Sequence, residues 1–245
     1  MVSSTSGYIE NSHGTPATRL WRGWDVLAIS VLSMFIFFVG LIGLVVWLMR
    51  DGIEPTALIE LPAFAAGSLV LSALSLTAAV GLGLLWRRQD WSALDLGSVS
   101  WRWLGIAVLL ALAMRLVAFP LAYLLQALGF PMDNPQLAML QPENASWQVL
   151  LVIFLFAGLF VPIAEELFFR GVLYVWLRGR WGVTVGAVVS AVVFGFVHGH
   201  PTIGVIAGLL GVILALVYER SRSLTACIVL HAVFNVLGIA LIYTI

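Results

Sequence analysis

The chain has no lysine, one cysteine and very little charge of either sign. Only 10% of its 245 residues are charged, and 62% are hydrophobic. A soluble domain carries about 25% charged residues, so a water-soluble globule is excluded. All twelve basic residues are arginine, which reads as codon usage rather than chemistry. A formal net charge of zero gives no sign of a nucleic-acid partner. The lone Cys227 excludes an internal disulfide framework and a multi-cysteine metal centre. The first apolar run is too long for a signal-peptide core and lacks a small-residue cleavage site, so it is expected to remain as an uncleaved anchor. Several protease signatures are also missing. There is no His-Glu-x-x-His motif and no aspartate pair within an apolar run, while Gly67-Ser68 and Gly97-Ser98 lack the flanking sequence and paired histidine of a serine protease.

What the chain does have is long hydrophobic runs, with a mean hydropathy of +1.06. They predict an all-α polytopic membrane helix bundle of about seven spans, with six to eight admissible. The runs are 26–49, 61–86, 103–128, 147–177, 183–198, 203–218 and 224–243. The ten tryptophans fall at or near the ends of these runs, where indole rings prefer the headgroup region. Arg19 and Arg22 precede the first run; Arg87, Arg88 and Arg102 follow the second; Arg178 and Arg180 follow the fourth; Arg220 and Arg222 follow the sixth. The alternate loops hold Asp51, Glu54, Glu60, Asp133 and Glu143 against Arg50 alone. The positive-inside rule then puts the N-terminus in the cytoplasm and the C-terminus outside, with the cell membrane as the expected location. Residues 1–18 read as a disordered polar tail, 19–146 as three N-terminal spans, and 147–245 as a C-terminal membrane core. The 91–101 loop is expected to carry a short interfacial helix, and the proline-bearing 129–147 loop to be irregular.

Ionisable groups inside the apolar runs single out the functional candidates. Ala164-Glu165-Glu166-Leu167-Phe168-Phe169-Arg170 interrupts the fourth run, just after a kink expected at Pro162. Each charge at membrane depth costs at least about 2.5–3.5 kcal/mol, so it persists only when paired or facing a hydrated cavity. Arg170, four residues beyond Glu166, shares its helical face and can pair with it. Glu165 is turned away by about 100° and has no partner in its own segment. Phe194 and His198 lie four apart in the fifth run, and His231 and Asn235 four apart in the seventh. A carboxylate and an imidazole sharing a water can deprotonate it as it attacks a carbonyl, then return the proton to the leaving amine. A second imidazole and a carboxamide can stabilise the developing oxyanion. Glu165 with His198 fit the first task, and His231 with Asn235 the second. Two histidines and one carboxylate also suffice for a catalytic divalent metal such as zinc, in which case Glu165, His198 and His231 are the ligands. A metal-free glutamate mechanism fits equally well.

Glu-Glu-x-x-x-Arg, Phe-x-x-x-His and His-x-x-x-Asn, in that order within about 70 residues, resemble the CPBP family of CAAX-prenyl endopeptidases and bacteriocin-processing (Abi) enzymes. The resemblance covers roughly 147–245. It implies that Glu165 and His198 activate water, that His231 and Asn235 form the oxyanion site, and that Glu166 and Arg170 support the first motif. Phe194 is expected to shape the cavity wall. Arg115, in the third run, has no motif behind it; it is expected to face the core, pairing with Glu166 or receiving a substrate's C-terminal carboxylate. His13 and His200 are expected in solvent, and Cys227 as a small buried residue. The expected activity is intramembrane endopeptidase cleavage of a membrane-embedded or lipid-anchored polypeptide, with the bilayer as the other partner. The alternative is a catalytically silent scaffold, immunity factor or sensor on the same fold.

Overall fold

The computed structural model describes residues 20–50, 52–97, 99–133 and 139–243; the expectations for the 1–18 tail and His13 fall outside that range. All regular structure among the described residues is helical. The helices are α1 (Gly23–Met49), α2 (Pro62–Trp86), α3 (Trp101–Ala127), α4 (Trp147–Leu155), α5 (Val161–Phe168), α6 (Val175–Phe196), α7 (Pro201–Ser221) and α8 (Leu224–Ile242). Their starts follow local chemistry. Proline occupies the first position of α2 and α7, where its missing N–H costs nothing. Ser100 and Ser146 cap α3 and α4 by accepting from the backbone N–H of Trp103 and Val149. Between α2 and α3 there is only a 3₁₀ turn, Trp91–Leu94, shorter than the interfacial helix expected there.

Six described helical stretches are long and apolar enough to cross a bilayer, and the fourth runs for 50 residues, Trp147–Phe196. A straight helix of that length would reach about 75 Å, more than twice the roughly 30 Å hydrocarbon layer. The stretch reverses at Gly182, whose φ of 81° is open to glycine at no steric cost. A Cβ at Gly186 would lie 2.9 Å from the backbone nitrogen of Arg178, whereas eight residues along an unbroken helix are about 12 Å apart. The reversal yields a long limb ending near Trp181 and a short limb, 183–196, so the bundle has about seven crossing segments. The short limb stops at the 197–200 turn, which holds His198.

The long limb is itself irregular. Phe156–Phe160 and Phe169–Tyr174 are π-helical, and they bracket α5, the segment carrying both glutamates. Helix α5 packs between α2 and α8; α1 pairs with α2, α3 with α8, and α6 with α7. The α6–α7 contact is backbone to backbone: a Cβ on Gly195 would sit 2.4 Å from the carbonyl oxygen of Gly204. Close approach through small residues is how helices associate in lipid, where apolarity alone provides no drive.

The end with the arginine loops is tied by polar bonds. Asp25 receives the Arg22 N–H and pairs with Arg87. Glu219 pairs with Arg178 and Arg222 and accepts from the Tyr174 hydroxyl, and the Tyr218 hydroxyl donates to Asp95. Trp21 is not a headgroup marker: it is buried, and its indole N–H donates to the carbonyl of Gly171 at 2.7 Å.

Candidate active site

Glu166 and Arg170 are the most deeply buried charges among the described residues, at 0% and 1% exposure. Arg170 Nη1 donates to Glu166 Oε1 at 2.8 Å, the pairing expected from their four-residue spacing, and its Nη2 donates to the carbonyl of Gly211 on α7 at 3.2 Å. The guanidinium also lies 4.8 Å from the ring centre of Phe194. Breaking a buried pair of this kind strands a charge, at a cost of about 3–5 kcal/mol.

His231 comes from α8 to the same carboxylate, with Nδ1 2.8 Å from Glu166 Oε1. That oxygen already accepts from a guanidinium, so Nδ1 is the donor and Nε2 is left facing the other way. Nε2 is 3.6 Å from Glu165 Oε2, and the Glu165 side chain keeps 19% exposure. Two adjacent carboxylates diverge by about 100° around a helix, so one side chain reaches both only by presenting two polar edges. An imidazole does. Glu166, expected only as a support of the first motif, is thus the group that sets the His231 ring. Its second oxygen, Oε2, is buried and has no hydrogen-bond partner among the described residues.

Phe194 links the two imidazoles. Its buried ring meets His198 edge-on with centres 4.9 Å apart and His231 at 5.6 Å. His198 Nδ1 is 2.7 Å from the Phe194 carbonyl, a contact that fixes the ring plane at the end of the short limb. His200 departs from expectation: it is half-buried rather than solvated, with both ring nitrogens enclosed. Next to it, Thr202 donates to the Pro131 carbonyl, which brings the 129–133 loop over this turn.

Asn235 depends on the first π segment. Val161 N–H bonds the carbonyl of Phe156, five residues back. Continued by one residue, that register pairs position 162 with Ala157, but Pro162 has no N–H to give. Asn235 Nδ2 supplies the missing donor, 3.0 Å from the Ala157 oxygen. The second amide hydrogen of Asn235 is not consumed by this bond. Such π bulges recur at functional sites because they free backbone groups that a regular helix would satisfy.

Arg115 is not a partner of Glu166. Its Nη2 donates to the Phe234 carbonyl, its guanidinium stacks 3.8 Å from the Phe234 ring centre, and it lies against Gly238. It therefore braces α3 against α8. Cys227 is buried and donates to the Leu214 carbonyl at 3.4 Å. As for a metal, the donor set Glu165, His198 and His231 does not converge: among the described residues no three His, Cys, Asp or Glu side chains gather closely enough to hold an ion.

Residues 146–237 match the family described as type II CAAX prenyl endopeptidase Rce1-like. The matched stretch holds all three motifs, and the match agrees with a CPBP-type protease. No curated protein and no solved structure gives a significant match.

Proposed function

We propose that the protein is an intramembrane endopeptidase of CAAX-processing type, cutting a peptide bond near the membrane-embedded or lipid-anchored end of a polypeptide. The observation that carries this reading is the clamp of His231 between Glu165 and Glu166 inside an apolar bundle. An assembly role alone would be served by Glu166 with Arg170. It leaves unexplained a second carboxylate that stays partly exposed and points at a ring nitrogen.

In this reading Glu165, with His198, takes the proton of the attacking water and later delivers it to the departing amine. The amide hydrogen of Asn235 that Ala157 does not take faces the carbonyl oxygen as it gains charge, and His231, held through Nδ1 by Glu166, joins it when Nε2 also carries a proton. Arg170 keeps Glu166 in place. The membrane is the cell membrane, with the arginine-rich end in the cytoplasm.

The test uses the purified full chain in liposomes with a farnesylated CAAX-type peptide and its unprenylated twin. Cleavage is followed by mass spectrometry. Cleavage of the lipidated peptide is expected, with Glu165→Gln slowed about 10²–10⁴-fold, the usual loss for a positioned base. If Glu165→Gln inserts, folds and still cleaves at the native rate, the catalytic assignment fails. If the native chain binds both peptides and cuts neither, the silent-scaffold alternative replaces the enzyme.

A further inference from the structure

Away from the glutamates, at the arginine-rich end, a cleft of about 780 Å³ opens between the start of α1 and the last turn of the long limb. Arg22, Arg180, Trp176 and Trp181 line it, together with Trp21, Gly23 and Gly179. A second groove of about 480 Å³ shares Gly23, Trp176 and Arg180 and runs on past Trp24 and Leu27 along the outer face of α1. One end is therefore cationic and the other apolar.

Among the described residues no carboxylate pairs with Arg22 or Arg180, and none lines either groove. Nearby acids are already taken, Asp25 by Arg87 and Glu219 by Arg178 and Arg222. Trp176 and Trp181 stand edge to face, 5.4 Å between centres, which holds the wall in one shape. Indoles place the cleft at headgroup depth, and a guanidinium matches the phosphate fork with two parallel hydrogen bonds.

We propose that this cleft binds an anionic glycerophospholipid, its phosphate between Arg22 and Arg180 and an acyl chain in the groove beside Trp24 and Leu27. Two unpaired guanidiniums repel the ammonium of a zwitterionic headgroup, so the site selects for net negative charge. The proposal stands whether or not the chain is a protease.

Native mass spectrometry of the full chain in detergent micelles tests it, with phosphatidylglycerol and phosphatidylcholine of identical chains as probes. One phosphatidylglycerol is expected to be retained in preference to phosphatidylcholine. The Arg22→Gln/Arg180→Gln double variant should weaken it roughly tenfold or more, at about 1 kcal/mol for each arginine near an anionic surface. Arg102→Gln/Arg220→Gln, at the same end but lining neither groove, should leave it unchanged. Equal retention of the two lipids, or an equal loss in the control variant, overturns the site. Full displacement by millimolar inorganic phosphate also overturns it, because it identifies a free-anion site without an acyl requirement.

Discussion

Helices α1 and α7 are both long, apolar and able to span a bilayer, yet 6% of the apolar stretch of α1 is buried against 44% of that of α7. In water the greasier helix would be the more buried one. Here the order is reversed, because lipid tails solvate leucine as well as a protein core does. What draws α7 inward is its small residues, which let backbones touch, and its carbonyl at Gly211, which receives Arg170. Stability should therefore concentrate where polar bonds and glycine contacts are, and be nearly absent along the outward face of α1.

The largest effect is expected at Arg170. Arg170→Leu leaves Glu166 buried with only His231 as partner and should cost about 3–5 kcal/mol, read as a lowered unfolding midpoint in detergent. Removing both charges should hurt less: Glu166→Leu/Arg170→Leu is expected to regain much of the stability, since apolar replacement of a whole pair is often neutral. It should not regain cleavage, because His231 loses the group that sets its ring. A double variant as unstable as the sum of its singles would show that the pair is not the unit holding α5 in place.

Next comes the α6–α7 seam. Gly195→Ala puts a methyl 2.4 Å from a backbone oxygen that has no rotamer to change. Separating the two helices should cost about 1–3 kcal/mol, as overpacking does elsewhere. A melting curve identical to that of the parent would mean the contact is looser than its geometry.

The span boundaries were legible in the sequence because apolar length and interfacial tryptophan report directly on bilayer thickness. So was the pairing of Arg170 with Glu166, which needs only helical periodicity. Contacts between helices were not. That Glu166 orients His231 depends on how deep α8 sits beside α5, and periodicity carries no depth. Trp21 misled because an indole at a run's end serves equally as a headgroup anchor or as a donor to a distant carbonyl. Arg115 was ambiguous for the same reason. The π segments left one trace, Pro162, whose missing N–H signals an orphan carbonyl without naming the side chain that fills it.

That trace gives a smaller and more specific prediction. Asn235→Leu removes the donor to Ala157 and should cost about 0.6–1.7 kcal/mol, the range for hydrogen bonds between helices in membranes. Pro162→Ala restores a backbone N–H in register with the same carbonyl. In the Asn235→Leu background it should therefore recover part of the loss, and in the parent it should compete with Asn235 and gain less. Unfolding midpoints of the two singles and the double decide it. Strict additivity would mean that Pro162 and Asn235 do not serve one carbonyl.

The smallest effect belongs to α1. Phe35, Val39 and Ile42 are exposed on its outward face, where lipid is the expected neighbour. Replacing all three with leucine keeps the apolar length and alters no contact within the bundle. Each change should stay within about 0.5 kcal/mol, as for surface substitutions away from special features. The measurement is the same detergent unfolding curve. A shift as large as that of Gly195→Ala would mean that this face of α1 is covered after all, and that its low burial describes one chain rather than the assembly. With no shift, lipid contact is interchangeable along this face of α1, and the stability of the bundle lies in the seams between its helices.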